Sequence, residues 1–213
     1  MVDGLDELRP KLMSRGPAIL LSVVLLACSD GQAAAARNFA PPAEGQPGAV
    51  VDSILSSAAA FERFVAGLPA PLGLENGAET PRALVQRFMD ALADRDTQAL
   101  SSMILSRAEY GFLYYPTSEY SRKPYELAPA IAWTLSLASN AKAIGRLIER
   151  LGGSPLTLES YACAKTRNQG LNTIHSGCRV TYRGPSGSET RSLFQSIIER
   201  DGSAKFLSYS GDF

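Results

Sequence analysis

The apolar period of this chain changes once, around Gly152-Gly153 and Pro155, and that change sets its fold class. Before it, apolar residues recur at three- and four-residue spacing, as on one face of a helix. After it, runs rich in β-branched and aromatic residues are separated by turn residues, as in strands. Helices followed by strands predict an α+β fold. The strand region reads as four segments: Leu156–Lys165, Thr173–Arg183, Glu189–Arg200 and Ala204–Ser210. Their connections hold Asn168-Gln169-Gly170, Gly184-Pro185-Ser186-Gly187 and Asp201-Gly202. Asp-Gly between two apolar runs is a strong hairpin signal. The expectation is helices packed on a curved, four-stranded antiparallel meander sheet. In the third segment Leu193 and Ile197 fall on one face, Phe194 and Ile198 on the other, so both faces need cover. A hairpin of the first two segments places Cys163 opposite Cys178, Tyr161 opposite Val180 and Glu159 opposite Tyr182.

The helical half divides at its breakers. Val51, Ile54, Leu55, Ala58, Phe61 and Val65 form a stripe, which ends at Leu68-Pro69-Ala70-Pro71. This helix, or a second copy of the chain, is expected to cover the second sheet face. Thr80 suits a helix cap and Pro81 the first helical position. Leu84, Val85, Phe88, Met89 and Leu92 then share one face. Asp94 or Asp96 starts a second short helix with Leu100, Met103 and Ile104. A third helix, about 126–151, carries Ile144, Leu147, Ile148 and Leu151 on one side. Lys142, Arg146 and Arg150 line another side, one turn apart, as a solvated row; attraction of an anionic ligand is the alternative.

Between these helices lies an aromatic segment. Five of the eight tyrosines fall in residues 110–125, and the single tryptophan, Trp133, follows shortly. Tyrosine combines a flat apolar face with a hydroxyl, which suits recognition of sugars, lipid headgroups or peptides. The binding candidates are Tyr114, Tyr115, Tyr125 and Trp133; the alternative is that the rings are core.

Near the start, Ala18–Ala27 is an apolar run, too short for a bilayer span of about 20 residues. It fits the apolar core of a secretory signal. Asp3, Asp6 and Glu7 offset Arg9, Lys11 and Arg15, whereas a start at Met13 removes that conflict. Leu25-Leu26-Ala27-Cys28 resembles the lipobox of bacterial lipoproteins. The resemblance implies cleavage before Cys28, acylation of Cys28 and a membrane anchor. Ser29 after the cysteine implies the outer membrane, facing the periplasm; Asp30 weakens that sorting signal. Residues 29–49, rich in Ala, Pro, Gly and Gln, read as a flexible tether. The chain without residues 1–27 keeps 18 basic and 18 acidic side chains. A neutral domain has no electrostatic footprint for nucleic acid. With Cys28 lipidated in an oxidising compartment, Cys163 and Cys178 are expected to pair; a metal site or a catalytic thiol are the alternatives. No cofactor is implied, because phosphate-loop, dinucleotide and metal spacings do not occur in the sequence.

Residues Thr80–Leu100, with their amphipathic helix, acidic break and Ala99-Leu100 second helix, resemble the opening of the NTF2-like (SnoaL-like, cystatin-like) superfamily. The strand-rich end, 155–211, is similar to its long antiparallel strands. The resemblance covers roughly 80–213 and implies a cone-shaped sheet around an internal pocket. The middle departs from the family, since 107–125 is aromatic and the following helix is long. The expected organisation is a signal at 1–27, a lipidated cysteine and tether at 28–49, a helix and linker at 50–79, and the α+β domain at 80–213. The function expected is non-catalytic binding of a small amphipathic ligand or an envelope partner. An enzyme of the same fold, using Glu159 or His175 as an acid–base group in the pocket, is one alternative. An assembly subunit that docks through its sheet, including a homodimer, is another.

Overall fold

The computed structural model describes residues 55–210. Cys28, the expected leader and tether, and the first stripe's Val51 and Ile54 lie outside them. Among the described residues, no helix is long and apolar enough to cross a membrane.

The architecture is α+β, with helices first and an open five-stranded antiparallel sheet after them. Helix α1 is Ser57–Val65, α2 Pro81–Ala93, α3 Thr97–Ser102, α4 Arg107–Glu109 and α5 Pro129–Leu151. The caps are those that the side chains dictate. Thr80 accepts from the Ala83 amide and Pro81 opens α2. Asp96 accepts from the Ala99 amide at 2.8 Å and opens α3. Residues 110–114 form a π-helical turn, followed by two 3₁₀ turns at 115–117 and 119–121.

The strands are β1 Thr157–Gln169, β2 Asn172–Gly184, β3 Gly187–Arg191, β4 Phe194–Arg200 and β5 Ser203–Tyr209. The expected count of four is corrected to five, because the Glu189–Arg200 run is split. Both pieces pair with β2, on the side away from β1. Residues 177–179 of β2 face one residue more, 192–195, on the split strand. Gly177, at φ +66, makes that bend without steric cost, and the Ser192 hydroxyl donates to the Cys178 carbonyl. The Asp201-Gly202 hairpin has positive φ at both positions, as a type I′ turn requires.

Cys163 lies opposite Cys178 and the two form a disulfide, with Tyr161 opposite Val180. Glu159 does not oppose Tyr182. Leu158 does, and Glu159 is the extra residue of a bulge between Leu158 and Ser160. Phe194 does not share a face with Ile198. A second bulge, at Gln195, inverts the alternation and turns Phe194 to the side of Ile197.

Two apolar clusters result. In the first, α2, α3 and the C-terminal half of α5 meet Val180, Leu193, Ile197 and Phe206 of the sheet region. Phe88 is its centre, with ring centroids of Phe194, Phe206 and Tyr209 within 5.8 Å. In the second, Phe64 of α1, the 110–115 turns and Ala132 of α5 meet Ile174 and Ile198. Asn140, buried in α5 between the two, donates to the Leu207 carbonyl and accepts from the Tyr209 amide at 2.8 Å.

A buried ion pair fastens the second cluster. Lys205 lies 2.9 Å from Glu109, with 4% and 0% of the side chains exposed. The Glu109 carboxylate also accepts from the amides of Glu75 and Ser106, both at 2.6 Å. Three donors satisfy the buried charge, which a buried carboxylate needs.

Candidate functional site

A cavity of about 420 Å³ opens between α5, the aromatic turns and the sheet. Its make-up follows from two periodicities. On α5, Ala132 and Trp133 face it first, then Ser136, then Ser139 and Asn140 one turn and two turns on. On the sheet, Ile174 faces it first and Ser176 next on the same side of β2. Ser176 lies opposite Ser196 of β4, and Ser196 opposite Ser208 of β5. All three serines line the cavity. The result is a graded lining: apolar near Leu105, Ala132 and Ile174, hydroxyl-bearing near Ser176, Ser196 and Ser208.

The aromatic side is continuous. Tyr110 touches Tyr114 and Trp133, with ring centroids 5.5 and 5.2 Å apart. Burial pushes the Tyr110 hydroxyl well above the ordinary tyrosine value. Burial pushes Tyr114 up to about 12, with Tyr120 and Glu119 adding to the rise and Arg167 opposing it. These phenols stay neutral at ordinary pH. Glu119 and Arg167, both exposed, are the charged side chains of the lining. The five serines of the lining make no side-chain hydrogen bond to another described residue. Their donors and acceptors are open to whatever enters.

The residues singled out in the sequence are dispersed. Tyr114 and Trp133 meet at the cavity. Tyr115 is buried behind it, stacked on Phe61, and its hydroxyl donates to the Leu127 carbonyl at 2.8 Å. Tyr125 is 65% exposed and is not part of the lining. Glu159 sits in its bulge on β1, where it accepts from Ser188 at 2.6 Å and pairs with Arg183 at 2.7 Å. The Ser188 hydrogen bond, with Arg183 beside it, holds its carboxyl below the usual carboxylate range. His175 is flanked in β2 by two lining residues and turns away from them. Its Nδ1 lies 3.1 Å from the Thr166 hydroxyl and its Nε2 3.1 Å from Glu199. Neither acid–base candidate lines the cavity. Among the described residues, no group of three or more His, Cys, Asp or Glu side chains could hold a metal ion.

Ser136, Ser139, Ser176, Ser196 and Ser208 were not legible as a group, since they come from four elements far apart in the chain. Tyr110 and Tyr120 belong to the aromatic segment and reach the cavity with Tyr114. Comparison with known proteins gives no match to a family model, to a curated protein or to a solved structure.

Proposed function

We propose that this chain is a lipid-anchored binding module of the bacterial envelope, with an NTF2-like domain whose cavity holds a small amphipathic ligand. The observation that carries this reading is the graded lining. A hydrocarbon part of a ligand gains by leaving water at the Ile174 and Ala132 end. A polar part replaces its lost water contacts at the serine end. A cavity of this size, mostly preformed, with a few convergent polar groups, is the usual form of a small-molecule site. Helices preceding a long antiparallel sheet, with a cavity between them, agree with the family that Thr80–Leu100 resembles. The anchor rests on Ala18–Cys28, and residues 29–49 supply reach from the membrane.

The test uses the full chain, purified from membranes without detergent, with a variant that narrows the cavity. Ser139→Phe adds a ring at an exposed position of α5 that lines the cavity. Mass spectrometry of an organic extract is expected to find a small molecule with the unaltered chain and to lose it with Ser139→Phe. Equal extracts from both overturn the binding reading. Labelled palmitate is expected on the unaltered chain and not on Cys28→Ala; an unlabelled chain overturns the anchor.

A further inference from the structure

The polar end of the cavity has a narrower meaning. We infer that it recognises a neutral sugar ring, the polar part of the ligand proposed above; this inference rests on that reading.

The serine row is the first observation. Ser176, Ser196 and Ser208 stand side by side on three neighbouring strands, with one strand spacing of about 4.8 Å between them. Ser136 and Ser139 face the same space from α5. A hydroxyl both donates and accepts. A wall of hydroxyls therefore has no fixed polarity and suits groups that also do both, the hydroxyls of a sugar. Hydrocarbon at this end would leave the serines without partners, which is costly.

Charge is the second observation. Glu119 and Arg167 bring one charge of each sign. A phosphate or sulfate group calls for several donors of positive charge converging on it. Arg167, opposite Ile174, is the single cation of the lining, and Lys165, opposite Ser176, is exposed and not part of it, so an anionic headgroup finds no converging set of positive donors.

The aromatic side is the third. The C–H face of a sugar ring is apolar and its rim is polar. Tyr120 and Trp133 line the cavity as half-open aromatic surfaces, beside the buried rings of Tyr110 and Tyr114, with Tyr110 in contact with Trp133. An aromatic face beside a hydroxyl row meets both aspects of such a ring.

The experiment uses Trp133, the single tryptophan, as a built-in reporter. The full chain in lipid nanodiscs is titrated with maltotriose, cellotriose and tri-N-acetylchitotriose, and separately with decanoate. At least one trisaccharide is expected to change Trp133 fluorescence saturably. Ser176→Ala with Ser196→Ala is expected to bind it about tenfold more weakly. Those hydroxyls have no partner in the described residues, so the variant keeps its fold, checked by near-ultraviolet circular dichroism. Three silent trisaccharides with a saturable decanoate response overturn the sugar inference and leave the cavity reading standing. Undiminished sugar binding by the double variant also overturns it. Silence with every probe, together with equal extracts from Ser139→Phe, overturns both.

Discussion

Phe88 and Tyr110 are both aromatic and both buried, yet their surroundings differ in kind. Phe88 is enclosed by hydrocarbon and the rings of Phe194, Phe206 and Tyr209. Tyr110 has a ring contact on each side, a cavity in front and a buried ion pair nearby in the fold. The first cluster spends its residues on filling space. The second leaves space and holds its shape with polar ties, Glu109 to Lys205 and Asn172 to Leu113, while Asn140 ties α5 to Tyr209 of the first. An open site needs walls that do not collapse into it, and directional hydrogen bonds resist collapse better than packing alone.

The contrast can be broken at its strongest points first. Phe88→Ala is expected to cost about 3–5 kcal/mol, since it empties a site that close packing keeps full. Trp133→Ala, at the cavity wall, is expected to cost less than half as much, because water already reaches part of that ring. Urea unfolding of both variants measures the difference, and equal losses would remove the distinction between the clusters. For the second cluster the matching lesion is polar. Glu109→Ala leaves Lys205 buried without its partner and two amides without an acceptor, at an expected cost of about 3 kcal/mol or more. Glu109→Gln keeps an acceptor for the amides and is expected to recover part of that loss. Indistinguishable unfolding of the two variants would mean that the amide bonds contribute nothing.

The disulfide sharpens the comparison from the other side. Cys178 is fully buried in the first cluster, and its bridge to Cys163 spans 15 residues. By the chain-entropy model, Cys163→Ala with Cys178→Ala loses about 3 kcal/mol. Cys178 follows the cavity's Ser176 by two residues in β2, but Trp133 packs on the cluster of Ile174 further along the strand, so its fluorescence in the folded variant is expected to be unchanged. A shifted emission would show that the two regions are mechanically joined through β2.

Alkaline pH acts on the second cluster through its phenols. Tyr110 and Tyr114 have raised values because burial disfavours the phenolate. The unfolded chain loses these protons near pH 10 and the folded chain keeps them, up to about 12 for Tyr114. The unfolded state then binds fewer protons, so stability falls as pH rises from 10 toward 12, and is unaffected below 10. Each tyrosine contributes up to about 1.4 kcal/mol per pH unit in that window. Urea midpoints between pH 9 and 12 measure the slope, and Tyr114→Phe is expected to flatten it. An unchanged slope would place the titration elsewhere.

Period and turn chemistry made much of the scaffold legible. Thr80-Pro81, Asp96 and Gly152 mark helix ends, Asp201-Gly202 marks a hairpin, and the cysteine register follows from one antiparallel pairing. The losses in the sheet have one physical source, the bulge. An extra residue at Glu159, at 192–195 and at Gln195 breaks the period of two, so every assignment of face beyond it inverts. That is why Phe194 moved to the first cluster. It is also why the serine row stayed hidden. Counting back from Asp201-Gly202 without a bulge sets Ser196 opposite Leu207; the extra residue in β5 brings Ser208 there instead. The aromatic segment was legible as unusual, but its π-helical turn fans the rings out, so that Tyr114 faces the cavity while its neighbour Tyr115 is packed against Phe61.

The smallest expected stability effect is the most telling one. Core hydroxyls that hold a fold together are hydrogen-bonded within it, and their removal costs about 1 kcal/mol each. Ser176 and Ser196 face each other across β2 and β4, half-buried, with no such bond among the described residues. Replacing both by alanine removes no internal partner and adds no volume. The unfolding midpoint is therefore expected to stay within about 0.5 kcal/mol of the unaltered chain. A drop of about 2 kcal/mol would mean that the serines tie the strands together, and their place in the second region would then be structural, like that of Glu109. If stability holds, the hydroxyls do nothing for the folded chain alone and stand free for a ligand that enters the cavity.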